Sequence, residues 1–301
     1  MRALATFILQ GRLQAIAVVY GLTLLSSVSS LISLFSTAAV ILPTLRKGAG
    51  EGAIVLTAAL VLLAVTFVGL LGISPRPVGY LLLLWGSAWL IAILLRESRQ
   101  LSFALVGTTA LGMLTVVVIY GSQANPSEMW REQLQHAVQP LLTSERSNAE
   151  AERVLKGLEQ MAQYLTGIAA AGSMLSVILS LFLARWWQAM LFNPGGFRAE
   201  FQSLRLPVAP VYLWFGLLAV AGLGDRTWRE IAANLAIPPL ILFLLAGLAI
   251  LHALLSKTGA GRFGLVGIYL TLVLVSPLAL LIMLIGLSDV WIDWRRWLRP
   301  A

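Results

Sequence analysis

The sequence predicts an all-α fold in which the helices form a polytopic transmembrane bundle, and three observations support this. Of the 301 residues, 59% are hydrophobic and only 11% are charged, whereas soluble domains carry about 25% charged residues. Apolar runs of about 20 residues recur, which is the length of helix that crosses a bilayer core. Runs such as LLLLWGSAWLIAILL lack the alternation of a transmembrane β-strand.

The apolar runs predict eight or nine spans, and nine is the preferred number. The first two are ambiguous, because residues 13–45 are long for one span and short for two. The stretch SSVSS at 26–30 is either a hairpin tip or a polar patch in one tilted helix. The predicted spans are 13–28, 30–45, 52–72, 78–95, 101–121, 163–184, 207–224, 231–255 and 264–287.

Three regions follow from these spans. Residues 1–121 hold the N-terminal membrane helices, and residues 163–301 hold the C-terminal ones, with an amphipathic elbow at 185–207. Residues 122–162 between them form a polar helical hairpin, predicted to lie on the periplasmic side. This hairpin is interpreted as a lid over a cavity, a partner surface or a long connection.

Local signals divide the hairpin into two helices. Asn125 as a cap, Pro126 in the first turn and Glu128 behind it are typical of a helix start. Pro140 is expected to end or kink this helix. A second helix is predicted from about Ser147 into the span that begins at residue 163.

The distribution of Lys and Arg predicts the orientation. Short loops rich in Lys and Arg remain on the cytoplasmic side, which places the N-terminus inside and the protein in the bacterial inner membrane. With nine spans, however, the tail DVWIDWRRWLRPA would lie outside with three Arg. Either one span is miscounted or the tail departs from the rule.

Composition also limits the function classes. The net charge of +8 is interpreted as contact of Lys and Arg with anionic lipid head groups. Nucleic-acid binding is disfavoured because these basic residues are scattered along the sequence. The absence of Cys removes disulfides and thiolate sites. His136 and His252 form no recognised metal or catalytic motif. No enzyme activity and no cofactor or metal are therefore expected.

Two features are candidate ligand-binding elements. Hydroxyls near the first turn either line a small-molecule pocket or pack helices, and packing is the simpler interpretation. Prolines interrupt two late spans, and interrupted membrane helices often line binding sites. The candidate residues are Ser26, Ser29, Ser30, Ser33, Pro239 and Pro277.

The elbow RWWQAMLFNPGGFRAEFQSLRLP is the candidate docking surface for a partner protein or lipid. Arg185, Trp186 and Trp187 are predicted to mark the inner water interface. The sequence Asn193-Pro-Gly195-Gly196 is strong turn chemistry.

A short amphipathic helix then lies flat on the inner leaflet. Phe197, Phe201 and Leu204 fall on one face, and polar residues including Arg198 and Arg205 occupy the rest. Those two Arg face either lipid phosphate or another protein.

The C-terminal stretch is interpreted as an interfacial anchor. Trp291 and Trp294 are three residues apart, and Arg295 and Arg296 follow directly. Such a segment places aromatic rings at the head groups and Arg toward phosphate.

Three segments carry a resemblance to a known family: GRLQA with LPTLRKG, LFNPGGFRAEFQSLRLP, and GLSDVWIDWRR. Together they resemble the YybS-like family of bacterial inner-membrane proteins over most of the chain. That family is distantly similar to the substrate-binding S components of energy-coupling-factor vitamin transporters. The resemblance implies a six-helix ligand-binding core docked against a membrane partner and ATPases.

The leading hypothesis is a small-molecule binding or transport component that works with membrane or cytoplasmic protein partners. The alternative is a non-catalytic scaffold or accessory subunit of a larger membrane complex. The lipid bilayer is an expected partner in both cases, and homo-oligomerisation stays open.

Overall fold

Thirteen α-helices make up the described part of the chain, and they are numbered here in chain order. The computed structural model describes residues 1–142, 153, 156–158, 160–256 and 261–295. The helices are α1 Arg2–Gln10, α2 Arg12–Leu25, α3 Ile32–Lys47, α4 Ala49–Ala64, α5 Arg76–Ser98, α6 Leu101–Ser122, α7 Pro126–Leu142, α8 Leu165–Phe192, α9 Gly196–Gln202, α10 Ala209–Leu223, α11 Arg226–Leu255, α12 Gly261–Leu274 and α13 Ser276–Ser288. A π-helical segment, Val65–Leu70, continues α4.

Two buried helices organise the bundle. All ten residues from 36 to 45 of α3 are buried, because α1, α2, α4, α5 and α8 surround it. In the C-terminal half, α11 packs against α6, α8, α10, α12 and α13. Since α8 contacts both α3 and α11, it joins the two halves into one core.

The ambiguity at residues 13–45 is settled in favour of two helices. Helices α2 and α3 end and begin on either side of residues 26–31 and pack against each other. The SSVSS stretch is therefore a hairpin tip.

In the part of the chain that the structure describes, five helices are long and apolar enough to cross a membrane, or six if one bent pair counts as a span. The five are Ala49–Leu70, Arg76–Ser98, Leu101–Ser122, Leu165–Phe192 and Arg226–Leu255. Each predicted span contains helix, but α2 and α10 are short apolar helices and α3 has 16 residues. The predicted eight or nine spans are thus not confirmed, although the multi-pass helical class is.

The last predicted span, 264–287, is two helices rather than one. Its two parts, Phe263–Leu272 and Pro277–Ser288, are bent by 116°. Pro277 is the second residue of α13, so it begins a helix instead of kinking one. Helix α13 runs antiparallel to α11, with Gly286 against the Phe243 carbonyl and Gly247 against the Ile282 carbonyl.

One end of the bundle, called the elbow end, gathers α9 and many of the cations. Arg12 pairs with Glu51 at 2.6 Å. The Arg96 guanidinium donates to the Leu45 carbonyl at 2.7 Å, which satisfies an orphan carbonyl at the end of α3. Arg46 lies 4.1 Å above the ring of Phe192. The opposite end, called the hairpin end, holds α7 and the starts of α8 and α11.

The C-terminal tail lies beside the elbow. The Arg295 guanidinium donates to the carbonyls of Gln202 (3.1 Å) and Leu204 (2.7 Å) and pairs with Asp289 (2.7 Å). These contacts hold the described part of the tail against the elbow, and the side of the membrane on which both lie stays a prediction.

Candidate functional site

A polar cavity of about 390 Å³ opens at the hairpin end. Helix α7 supplies one wall, residues 156–158 and 160–164 supply a second, and the first turns of α11 supply the third. The lining residues are Ser127, Arg131, Lys156, Gln160, Gln163, Tyr164, Arg226, Arg229, Glu230 and Ala233. The volume lies in the lower part of the range of small-molecule pockets, about 300–1,000 Å³.

The lining is rich in positive charge. Four cations, Arg131, Lys156, Arg226 and Arg229, meet one carboxylate, Glu230, among the described lining residues. Arg131 also pairs with Glu128, one turn earlier on α7. Such a surface favours an anionic occupant over a neutral one, since guanidinium groups bind carboxylates and phosphates through paired hydrogen bonds.

A chain of hydrogen bonds lies behind Glu230, one of the lining residues, and is called the floor of the cavity here. The Tyr120 hydroxyl, near the end of α6, donates to Glu230 at 2.8 Å. The Asn234 amide donates in turn to the Tyr120 oxygen at 3.0 Å. This chain fixes the Glu230 carboxylate against the cavity while one of its oxygens already accepts a bond.

Asn234 connects the floor to two neighbouring helices, and its side chain is fully buried. Its amide nitrogen lies 2.7 Å from the Gln163 carbonyl and 2.9 Å from the Glu230 carbonyl. Its amide oxygen accepts the backbone N–H of Gly167 at 2.7 Å. Gly167 is the third residue of α8, whose own cap residue, Tyr164, offers no side-chain bond, so Asn234 caps α8 from another helix.

Close approach of the two backbones makes this cap possible. A Cβ on Gly167 would meet the Asn234 carbonyl oxygen at 2.5 Å. That carbonyl lacks its usual helical donor because Pro238, four residues later, has no N–H. Gly167 on α8 therefore allows the close approach, and Pro238 in α11 leaves the Asn234 carbonyl without a helical donor at the same point.

Helix α7 begins at Pro126, as the sequence predicts, and is fixed to the bundle by one aromatic side chain. The Trp130 indole N–H donates to the Thr166 hydroxyl at 2.9 Å, at the start of α8. The helix continues two residues past Pro140, to Leu142. The predicted start of a second helix at Ser147 lies outside the described residues.

The serines predicted to line a pocket lie at the α2–α3 turn, away from this cavity. The hydroxyls of Ser26 and Ser33 donate to carbonyls three residues earlier, at 2.6 Å each. Ser29 and Ser30 lie in the same turn, where Ser30 is exposed. Because local backbone carbonyls satisfy these two hydroxyls, the structure supports turn formation rather than ligand lining.

The two prolines of that prediction lie elsewhere as well. Pro239 is buried inside α11, one turn below the cavity floor. Pro277 is at the start of α13, next to the break in the last predicted span. Neither residue is among those that line the cavity.

The elbow packs onto the bundle instead of turning its apolar face to lipid. The rings of Phe197 and Phe201 lie 5.5 Å from Phe182 of α8, and Phe201 lies 5.4 Å from the ring of His252. Leu204 is buried. The predicted lipid-facing side of α9 is therefore a protein-facing side, because its aromatic rings pack against rings of α8 and α11.

The turn before α9 follows its predicted chemistry. Gly195 has φ of +87°, in the left-handed region that glycine adopts without strain. A Cβ on Gly196 would collide with the side chain of Asn193. The backbone conformation favours glycine at residue 195, whereas at residue 196 the Asn193 side chain would have to move to admit a Cβ.

Two cations of the elbow form ion pairs. Arg185 pairs with Glu200 at 2.8 Å, and Arg205 pairs with Asp293 of the tail at 2.6 Å. Arg205 thus contacts this chain's own tail, although its side chain is 51% exposed. Arg198 is exposed as well.

The two adjacent tryptophans differ in their exposure to solvent. Trp186 is 42% exposed, whereas Trp187 is fully buried and lies 6.2 Å from Phe35 of α3. Trp187 is therefore a core residue and not a marker of the water interface, since its position on α8 faces α3.

The tail residues show a similar division. Trp291 packs beside Tyr212 and Phe215 of α10, and with Trp294 it lines an apolar groove. Arg295, in contrast, is directed into the protein by its bonds to Asp289 and the elbow. The predicted contact of Arg295 with lipid phosphate is therefore replaced by internal bonds. Arg296 lies outside the described residues.

The cavity residues were not predicted as a site. Glu230 directly precedes the predicted span 231–255, and no sequence motif marks Tyr120, Arg131 or Asn234. One signal was available: Asn234 is an amide within a long apolar helix, where polar groups need partners. Three of its partners, Tyr120, Gln163 and Gly167, are more than 60 positions away, so the sequence alone does not identify them.

The fold and this cavity define a multi-pass helical membrane protein with a polar, cation-lined pocket at one end. The chain belongs to a family described as predicted membrane protein (DUF2232), whose model matches residues 14–290. No curated protein and no solved structure matches the chain.

Proposed function

We propose that the protein is a small-molecule binding component of a membrane transport system. The observation that carries this is the polar cavity at the hairpin end, which is bounded by three segments and has a floor fixed by Tyr120 and Asn234. Preorganised polar groups in a cavity of this size are typical of solute sites. The protein acts by binding and not by catalysis.

The proposed setting is the bacterial inner membrane, with the elbow end in the cytoplasm and the hairpin end outside. The support is the gathering of Arg12, Arg46, Arg96 and Arg185 at the elbow end, as the positive-inside rule requires. In this orientation the cavity receives solutes from outside the cell.

The proposal includes a partner, as the resemblance to the YybS-like family and to transporter S components implies. Those components bind the solute and dock against a membrane protein that is driven by ATPases. The exposed elbow residues Trp186 and Arg198 are the docking surface proposed here.

Ligand screening of the detergent-purified protein tests the binding function. A library of neutral, cationic and anionic metabolites is screened by thermal shift, and native mass spectrometry detects any co-purifying molecule. At least one class is expected to stabilise the wild type but not Arg229→Gln. The control, Arg2→Gln, removes the same charge from the exposed N-terminus. If no compound of any charge binds, the proposal is wrong.

A scaffold or accessory subunit is the second candidate, and the rigid elbow favours it. Bonds from Arg185, Arg205 and Arg295 hold α9 and the tail in one arrangement. A photo-crosslinker at Arg198 is then expected to capture one dominant protein. Adducts with lipid alone would exclude this candidate.

A further inference from the structure

We propose that the cavity recognises a phosphate group that has a hydroxyl group close by. The inference rests on the proposed binding function and names the chemistry of its ligand. Two sources present this chemistry, a soluble phosphorylated alcohol and the head group of phosphatidylglycerol, and the experiment below distinguishes them.

The first argument is the spacing of the cations around the cavity. Arg131 is on α7, Lys156 precedes α8, and Arg226 and Arg229 are on α11. Cations on three separate segments surround an occupant from several sides, as the three oxygens of a phosphate need. Arg131 is half-buried, whereas Lys156, Arg226 and Arg229 are exposed at the rim of the cavity.

The second argument is that these cations retain donor capacity. The Nε of Arg131 is buried and has no hydrogen-bond partner among the described residues. Among the described residues, Arg229 donates only to the Gly224 carbonyl, at 3.3 Å. An anionic oxygen is a stronger acceptor than a carbonyl and satisfies such donors with paired bonds.

The third argument is the role of Glu230 among the cations. Tyr120 occupies one carboxylate oxygen at 2.8 Å, which leaves acceptor capacity on the other. A carboxylate beside a phosphate site repels a bare anion, but it accepts a bond from a hydroxyl on the same ligand. Glu230 therefore favours a ligand that places a separate hydroxyl near the carboxylate while its phosphate stays among the cations. Inorganic phosphate also carries P–OH groups at neutral pH, but it can donate to Glu230 only by bringing its own charge beside the carboxylate, so it is disfavoured.

Binding is measured by isothermal titration in neutral detergent with glycerol 3-phosphate, inorganic phosphate and glycerol. Glycerol 3-phosphate is expected to bind, glycerol is not, and inorganic phosphate is expected to bind about tenfold more weakly. Arg226→Gln and Arg229→Gln are each expected to raise Kd about tenfold or more, whereas the control Arg2→Gln leaves Kd unchanged. Raising the salt concentration should weaken binding.

A Glu230→Gln variant tests the selectivity. Glutamine still accepts from Tyr120 but no longer repels an anion, so the preference over inorganic phosphate should fall. Thermal melting of each variant confirms folding. An unchanged preference in a folded Glu230→Gln protein would overturn the role of Glu230.

Nanodiscs identify the source. If the wild type binds glycerol 3-phosphate in phosphatidylcholine nanodiscs and loses binding in phosphatidylglycerol ones, the head group competes for the same site. If phosphatidylglycerol stabilises the protein and no soluble anion binds, the inference of a phosphate with a nearby hydroxyl stands. The proposed role in solute transport then fails. If neutral or cationic metabolites bind and these probes do not, the phosphate inference fails and the binding function stands.

Discussion

Asn234 shows how much one buried amide contributes at the hairpin end. It caps α8, bonds the Gln163 carbonyl and positions Tyr120, all without exposure to solvent. A polar side chain in a membrane helix is unfavourable unless its partners are present. Here every polar atom of the side chain has one, so the residue joins α6, α8 and α11 at a single point.

An Asn234→Ala substitution is therefore expected to destabilise the protein by about 1–3 kcal/mol, because the Gly167 N–H and the Gln163 carbonyl lose their partner. Unfolding in mixed micelles measures the free energy. The matched control is Gln123→Ala, an exposed amide at the same end, which should change stability little. Equal effects of the two substitutions would show that the interhelical bonds are unimportant.

Gly286 allows a close contact between α13 and α11, as Gly247 does on the opposite helix. A Cβ there would collide with the Phe243 carbonyl on α11. Gly286→Ala is expected to cost about 1–3 kcal/mol through overpacking. Gly216→Ala in α10, where a Cβ meets nothing within 4 Å, should be neutral or stabilising by about 0.5–1 kcal/mol. Thermal melts in detergent compare the two.

At the scale of elements, the tail and the elbow form one unit. Arg295 bonds two elbow carbonyls and the nearly buried carboxylate of Asp289. A guanidinium that satisfies a buried acid and the irregular backbone after α9 stabilises a region where regular helical bonds are missing. The backbone of the elbow is therefore held in place by Arg295, a residue more than ninety positions later in the sequence.

Arg295→Gln is expected to cost about 3 kcal/mol, since it leaves the buried Asp289 charge uncompensated. The double variant Asp289→Asn with Arg295→Gln should cost less, because neither charge remains. Limited proteolysis at the elbow, followed by mass spectrometry, reports release of the tail. If the double variant is as damaged as the single one, the bonds to the elbow carbonyls, rather than the ion pair, hold the tail.

At the scale of the whole molecule, the two ends differ in chemistry, and their sidedness can be tested directly. The chain has no Cys, so single cysteines report without background. A membrane-impermeant maleimide applied to spheroplasts is expected to label Gln123→Cys. It should label Arg198→Cys and Ile292→Cys only after permeabilisation.

The reverse pattern would invert the proposed orientation. Labelling of Ile292→Cys together with Gln123→Cys would contradict the placement of the tail beside the elbow.

Features set by neighbouring residues could be predicted from the sequence. The helix start at Pro126 and the left-handed Gly195 depend on local backbone preferences, and both are confirmed. The helical class follows from apolar runs that only a bilayer or a large core accommodates. The positions of the helices can therefore be predicted from the sequence to within a few residues.

Features set by distant contacts were not predictable in this way. The burial of Trp187 depends on Phe35, and the inward side of α9 depends on His252. The pattern of an amphipathic helix is the same whether lipid or protein covers its apolar face. The cavity combines residues from 127 to 233, which no local periodicity brings together.

The cap that Asn234 provides for α8 also has a consequence for biosynthesis. The ribosome makes Gly167 first and delivers its acceptor 67 residues later. Until α11 enters the membrane, the first turn of α8 has no side-chain acceptor for that amide. The first turn of α8 is thus completed late in synthesis, and chains truncated before residue 226 should insert α8 with a frayed start and no assembled cavity.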